Sequence, residues 1–241
     1  MSIESGHKVT PERSSSPIEL PRTLAKEFMD EALETSKHVV EEDKHSKRWR
    51  LFEDKVDIPN VGPALLQMDY RQASYPDENP FDQVRFNYAK EAPNENGEHS
   101  LIGEMHWYVE KGQSNNPYPF DLMQVHRYIV PEYRDRKGVG RSLYQQSEAW
   151  AQQVANEKGE PLTLALSTDQ PDTMRWATNL GYTPYAEEQE RYEEVIAHPE
   201  RFTSINETDS KGQIRNTAIE RDGKRIRIWF QKVLTPTVTT E

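Results

Sequence analysis

The 241-residue chain carries 41 acidic against 30 basic side chains, a formal net charge of −11, and no cysteine. That composition excludes disulfides, thiolate catalysis and cysteine zinc sites. The negative average field opposes non-specific binding to nucleic acid or anionic membranes and suits cationic amine substrates, and the length suffices for one sizeable domain with extensions.

Residues 1–17 are rich in Ser, Glu and Pro and lack the apolar core of a signal peptide, and no apolar run elsewhere is long enough to span a bilayer. A disordered N-terminal tail and a cytoplasmic protein are expected. Over residues 18–48 the pattern is helical: Leu20, Leu24, Phe28, Ala32 and Val39 fall near one stripe, and Ser16-Pro17-Ile18-Glu19 resembles a capping box. The mixed-charge run Glu41 to Arg48 reads as the solvated end of this helical extension. From Pro63 the period shortens toward two, and Ala64 to Gln72, Gln83 to Ala89, Leu101 to Glu110 and Leu122 to Val130 are expected as four strands. Their short connections imply antiparallel pairing.

Helical spacing returns at Gly140 to Lys158, where Leu143, Trp150, Ala151, Val154 and Ala155 recur and Gly159 and Pro161 mark the end. Pro161 to Leu166 alternates as a buried strand, and a second helix follows with Thr168 or Asp169 as its cap, Pro171 in its first turn and Gly181 past its end. A strand, crossover helix and strand in this order should lie parallel. Residues 186–223 are polar and read as an insertion, with a short helix around Glu188 to Ala197 and weak strands near Phe202 to Ile205 and Ile214 to Ile219. Arg225 to Leu234 alternates as a last strand, and 235–241 reads as a frayed C-terminal tail. Asn206-Glu207-Thr208 matches a glycosylation acceptor by chance, since no secretory signal accompanies it.

The chemistry concentrates between the fourth strand and the first long helix. Tyr128-Ile129-Val130-Pro131-Glu132-Tyr133-Arg134 is followed by Arg136-Lys137-Gly138-Val139-Gly140-Arg141-Ser142-Leu143, a basic, glycine-punctuated loop opening directly into a helix. Glycine lets a ligand approach the main chain, and the unpaired N–H groups of a first helical turn point at an anion. A phosphorylated ligand is expected. A dinucleotide fingerprint would need glycine where Leu143 stands, and no Walker loop is present. The spacing of His99, Glu104 and His106 arises readily on a polar strand, so no metal is expected. Trp107, Tyr108, Trp150 and Trp176 read as core or cleft-wall aromatics.

Ile129-Val130-Pro131-Glu132-Tyr133-Arg134 with Lys137-Gly138-Val139-Gly140-Arg141-Ser142-Leu143 resembles motif A of the GNAT superfamily of N-acetyltransferases. Leu162 to Ser167, Asp169 to Leu180 and Gly181-Tyr182 resemble the strand, helix and Gly-aromatic ending that follow it, and the likeness covers roughly residues 49–234. The resemblance implies an α/β domain with a mixed, largely antiparallel sheet, a parallel strand-helix-strand acyl-CoA site and flanking helices. It implies acetyl-CoA or another acyl-CoA as co-substrate, with no metal. The N–H groups from Lys137 to Ser142, with Arg136, would hold the pyrophosphate; the Tyr128, Ile129 and Val130 main chain would pair with the pantetheine amides; Gln170 would complete the cofactor-binding set.

Two positions depart from the family pattern. Asp135 stands where the family prefers Arg or Gln, beside one apparent extra residue, so Arg134 or Arg136 would have to take over. Ala177 stands where many members place the tyrosine that protonates the leaving thiolate, and Trp176, Tyr182 and Tyr185 do not occupy that slot. For the general base, Glu104 is favoured over His106, Asp121 and His126. The expected function is acyl transfer to a primary amine, a small molecule or a peptide N-terminus or lysine, by direct attack in a ternary complex. No nucleic-acid or membrane partner is expected, and a homodimer is compatible. The alternatives are a catalytically inactive acyl-CoA-binding sensing or interaction module and a toxin-like acetyltransferase acting on aminoacyl-tRNA, which the acidic balance opposes.

Overall fold

The computed structural model describes residues 39–74, 81–109, 117–134, 136, 138–208 and 214–237. The chain is mixed α/β, built on one large and mostly antiparallel sheet. Its strands are β1 (Val39–Glu42), β2 (Ser46–Ile58), β3 (Gly62–Ala73), β4 (Phe81–Pro93), β5 (His99–Val109), β6 (Leu122–Ile129), β7 (Leu162–Thr168), β8 (Thr183–Pro184) and β12 (Ile228–Leu234), in the order β1-β2-β3-β4-β5-β6-β7-β12-β8. A second sheet holds β9 (Thr203–Thr208), β10 (Ile214–Arg221) and β11 (Lys224–Arg225). The helices are α1 (Pro131–Arg134), α2 (Val139–Lys158), α3 (Pro171–Asn179) and α4 (Gln189–Ala197).

The four strands expected between residues 64 and 130 are present, paired antiparallel. So are α2, its crossover to β7 and the parallel pairing of β6 with β7. The helical expectation fails over residues 39–48, which form β1 and the start of β2; residues 18–38 lie outside the described residues. The mixed charges taken for a solvated helix end face one another across a hairpin, with Arg48 to Glu41 at 3.1 Å and Lys47 to Glu42 at 3.4 Å. Asp43 fixes the turn by accepting the N–H groups of His45 and Ser46. The sheet thus begins before residue 49, and β2 and β8 are also additions to the expected set. The expected last strand is divided: Lys224–Arg225 joins the small sheet and only Ile228–Leu234 joins the large one.

Helix α2 forms because its apolar residues recur every three or four positions, burying Leu143, Tyr144, Trp150, Ala151, Val154 and Ala155 against one sheet face. Gly159 ends it in the left-handed conformation, φ 68°, its N–H returning to Ala155 O and Asn156 O. Across the interface Phe86 meets Trp150 with ring centroids 5.6 Å apart, and Ser147 Oγ, which donates to Tyr144 O at 2.8 Å, lies 3.4 Å from Met105 Sδ. On α3 the cap is Gln170, not Thr168 or Asp169; Thr168 Oγ1 instead accepts the Gln170 N–H at 3.1 Å. The insertion docks on the carboxyl end of β7, where Ile219 N–H bonds Asp169 O at 2.9 Å and Arg225 reaches the Asp169 carboxylate at 3.3 Å. No helix among the described residues is long and apolar enough to cross a membrane.

Gly103 on β5 is required by this packing, since a Cβ there would stand 2.6 Å from Ile129 Cδ1 and 3.2 Å from Tyr128 O. Gly103→Val should therefore destabilise the fold by about 1–3 kcal/mol through overpacking, read as a lower midpoint in urea denaturation.

Candidate functional site

The parallel contact between β6 and β7 lasts three residue pairs, Leu122↔Leu164, Met123↔Ala165 and Gln124↔Leu166, after which both strands continue unpaired with each other. The cause lies on the other side of β6. Against β5, Trp107 faces Gln124 while His106 faces His126, so Val125 is an extra residue, a bulge. A bulge bends its strand and re-aims the side chains beyond it. Here it opens a gap between β6 and β7 and reverses the alternation: Leu122 lies in the helix-side core, whereas His126 turns to the opposite face beside Glu104.

Past the bulge, the backbone of β6 alternates between β5 and the gap. Val130 N–H donates to Ile102 O at 3.0 Å, which by antiparallel alternation turns Tyr128 toward β5 as well and leaves the main-chain groups of Arg127 and Ile129 facing the gap. The expectation that Tyr128, Ile129 and Val130 would all offer their main chain is thus narrowed to Ile129, with Arg127 added. Arg134 Nε donates to the gap-facing Ile129 O at 3.0 Å, and its guanidinium lies over the Tyr128 ring.

Above this end of β6 stands the start of α2. Gly138 caps it with φ 110°, a conformation that a side chain would strain, and no side chain caps the helix. The first intrahelical bond is Ser142 N–H to Gly138 O at 2.7 Å, so the N–H groups of Val139, Gly140 and Arg141 stand ahead of the ladder. Ser142, expected as a main-chain donor, is occupied there, and its hydroxyl is 2.9 Å from that of Tyr88, whose pKa burial pushes up to about 12 despite that bond. Val139 is buried, Gly140 lies against Ile129 and Arg141 is exposed. Arg136 donates to Asn60 O at 3.3 Å and stacks over Tyr133. Lys137 and Asp135 lie outside the described residues. Gln170 caps α3 beyond the end of β7, its Oε1 accepting from Thr173 at 3.1 Å.

Glu104 is not placed as a base. Its carboxylate bonds Arg85, stands 3.2 Å from His126 Nε2 and 3.3 Å from His106 Nε2, and is largely buried. Burial alone would raise its pKa, but the adjoining His106 and His126 rings and the charge of Arg85 outweigh it and hold the carboxyl below its ordinary value. A carboxylate that stays charged only accepts hydrogen bonds, so His126 must donate from Nε2, which in the neutral ring leaves the Nδ1 lone pair open. His126 is about half exposed; His106 is more enclosed, and burial above all lowers its pKa. The Arg85 side continues inward through Asn87, at 2.9 Å, to the fully buried Asp69, which is paired with Arg50. The Asp121 carboxylate accepts the Thr163 N–H at 2.6 Å where the parallel pair begins.

Arg127 points to the helix side of β6 and covers the ring of Trp176 on α3, 4.1 Å from its centroid. Burial lowers its pKa, and no carboxylate or hydrogen-bond acceptor meets it among the described residues. A cation–π contact of this kind contributes about 0.5–2 kcal/mol. His99 contacts Lys90 O at 2.9 Å, apart from Glu104 and His106, and no group of three or more potential metal ligands occurs among the described residues. Ala177 is fully buried, as is the Tyr182 ring, and the Tyr185 hydroxyl donates to Pro119 O at 2.8 Å, so none of these supplies an acid to the gap. The sequence matches no family model and no curated protein.

The Glu104 network gives a pH-dependent prediction. Glu104→Gln leaves Arg85 without its anion and should cost about 1.5–3 kcal/mol at pH 7. Because the native pKa is lowered, this stabilisation is fully present above the ordinary value of 4.5 and lost as pH falls toward the native one. Thermal melts should show the variant's deficit constant from pH 8 to 5 and narrowing below about pH 4.5.

Proposed function

We propose that the chain is an acyl-CoA-dependent N-acyltransferase of the GNAT type, transferring an acetyl or other acyl group to a primary amine by direct attack in a ternary complex. One observation carries this reading: the open end of the β6–β7 pair, with its gap-facing main chain, lies directly beneath an uncapped helix start entered through a left-handed glycine. An extended ligand with an anionic end and amide groups fits that arrangement, the anion at Val139 to Arg141 with Arg136 and Arg141 near, and the amides along Ile129 and Arg127. Acyl-CoA supplies an activated thioester carbonyl.

The chain's own part is to orient that carbonyl in the gap and to take one proton from the attacking nitrogen. His126 Nδ1 is the acceptor, with Glu104 holding the ring and stabilising the imidazolium that forms. The neutral form of the amine bonds the carbonyl carbon, its surplus proton passes to His126 Nδ1 as the bond forms, the carbon–sulfur bond breaks, and the thiolate leaves with the electron pair and is protonated from solvent, since Ala177 offers no hydroxyl. The insertion docked at Asp169 stands at the carboxyl end of β7 and flanks the acceptor side. With the acidic balance of the chain, this favours a small cationic amine or a basic peptide terminus as acceptor, and a cytoplasmic setting where acyl-CoA is available.

Calorimetry should show acetyl-CoA binding to the wild type and its loss in Gly140→Glu, where a side chain has room beside Ile129 but brings a negative charge to the helix start. Failure of the folded wild type to bind would remove the reading. His126→Gln should bind acetyl-CoA as the wild type does while kcat/KM for an amine falls about 10²- to 10⁴-fold. Binding without transfer to any amine would instead favour an acyl-CoA-sensing module.

A further inference from the structure

Many arginines among the described residues are paired: Arg48 and Arg50 with Asp69, Arg85 with Glu104, Arg175 with Asp172, Arg191 with Glu188, Arg201 and Arg221 with Glu194 and Arg225 with Asp169. Arg127 is half-buried over Trp176, yet no carboxylate meets it among the described residues. A charge partly shielded from water without a counter-ion needs a reason.

Bridging β6 and α3 is not a sufficient one, because Met or Leu would cover Trp176 as well without an ion to desolvate. What arginine adds is direction. With its central carbon 4.1 Å from the Trp176 ring centroid, the guanidinium is held by the ring, and its planar fork of N–H donors is of the kind that matches a carboxylate or a phosphate. The side chain leaves β6 beyond the last parallel pair, on the same face as Ile129, which packs against Gly140 in the first turn of α2. It therefore stands on the helix side of the gap, deeper along β6 than the helix start.

We infer that Arg127 is a second anion-recognition residue of this site, receiving an oxyanion of the ligand that the helix start and the gap hold, either a phosphate of the acyl carrier or a carboxylate on the acyl group itself. The inference rests on the acyltransferase reading. In the first case Arg127 contributes to affinity for every CoA ester; in the second it selects dicarboxylic acyl groups over acetyl.

The test is calorimetry of CoA, acetyl-CoA, succinyl-CoA and inorganic pyrophosphate on the wild type and on Arg127→Met, which keeps the packing on Trp176, with circular dichroism as a check on folding. A carrier phosphate predicts that all three CoA compounds bind about 10- to 100-fold more weakly to the variant, with a shallower salt dependence. An acyl carboxylate predicts that a wild-type preference for succinyl-CoA disappears while CoA and acetyl-CoA are unaffected. Equal affinities throughout, in a folded variant, would overturn the inference and leave the acyltransferase reading standing. If the wild type binds no CoA compound, that reading falls; pyrophosphate bound by the wild type and lost in Arg127→Met would still support an anion residue, and no pyrophosphate binding would remove both. Should Arg127→Met not fold, Arg127→Lys keeps the charge without the planar fork and is expected to lose about tenfold, and unchanged affinity there would also overturn the inference.

Discussion

A single extra residue, Val125, governs the candidate site of this molecule. β6 pairs with β7 only as far as Gln124↔Leu166 and then departs, because the bulge against β5 bends it away. Had the strand run straight, its main-chain groups would have been consumed by β7, and His126 would face the helices with Leu122. The bend instead leaves the backbone of Arg127 and Ile129 without a strand partner on that side and turns His126 onto the face that carries Glu104. Opening of the gap and placement of the imidazole are thus one structural event.

The rest of the sheet serves to hold that event in place. On the helix side, α2 is fixed by Trp150 on Phe86 and by the Ser142 to Tyr88 contact, so the helix start cannot drift from the end of β6. On the opposite face, charge is neutralised laterally across adjacent strands, from Asp69 with Arg50 through Asn87 and Arg85 to Glu104. Partly enclosed ionic chains of this kind add little net stability, yet removing one member leaves its partner uncompensated. In the proposed reaction Glu104 is accordingly the fixed anion that orients His126, not the group that accepts the proton.

Local periodicity made the central strands, α2, α3 and the parallel crossover legible, because each buries one face and so imposes its own period on the sequence. The basic glycine loop was legible for the same reason that it is useful: few residues other than glycine adopt the conformation of Gly138. The β1–β2 hairpin was not, since its charges pair across strands, and a run such as Glu41 to Arg48 has the same composition in a helix. Nor could Glu104 be seen as already bonded, because Arg85 and His126 approach it from neighbouring strands. The role of Val125 was equally hidden, as a bulge is defined by the register of the partner strand. Arg127 gave no signal at all, its isolation being a matter of what does not surround it in space.

The most direct test is a two-dimensional amide NMR titration with acetyl-CoA. Ligand in the gap and at the helix start should shift the amides of Ile129, Val139, Gly140 and Arg141 most. Val130 and Ser142, whose N–H groups are already bonded to Ile102 and Gly138, should show smaller shifts and slow hydrogen exchange throughout. Saturable shifts confined to that set would support the central claim that the end of the β6–β7 pair is a ligand site. Saturable shifts elsewhere on the sheet, or none at millimolar acetyl-CoA, would contradict it.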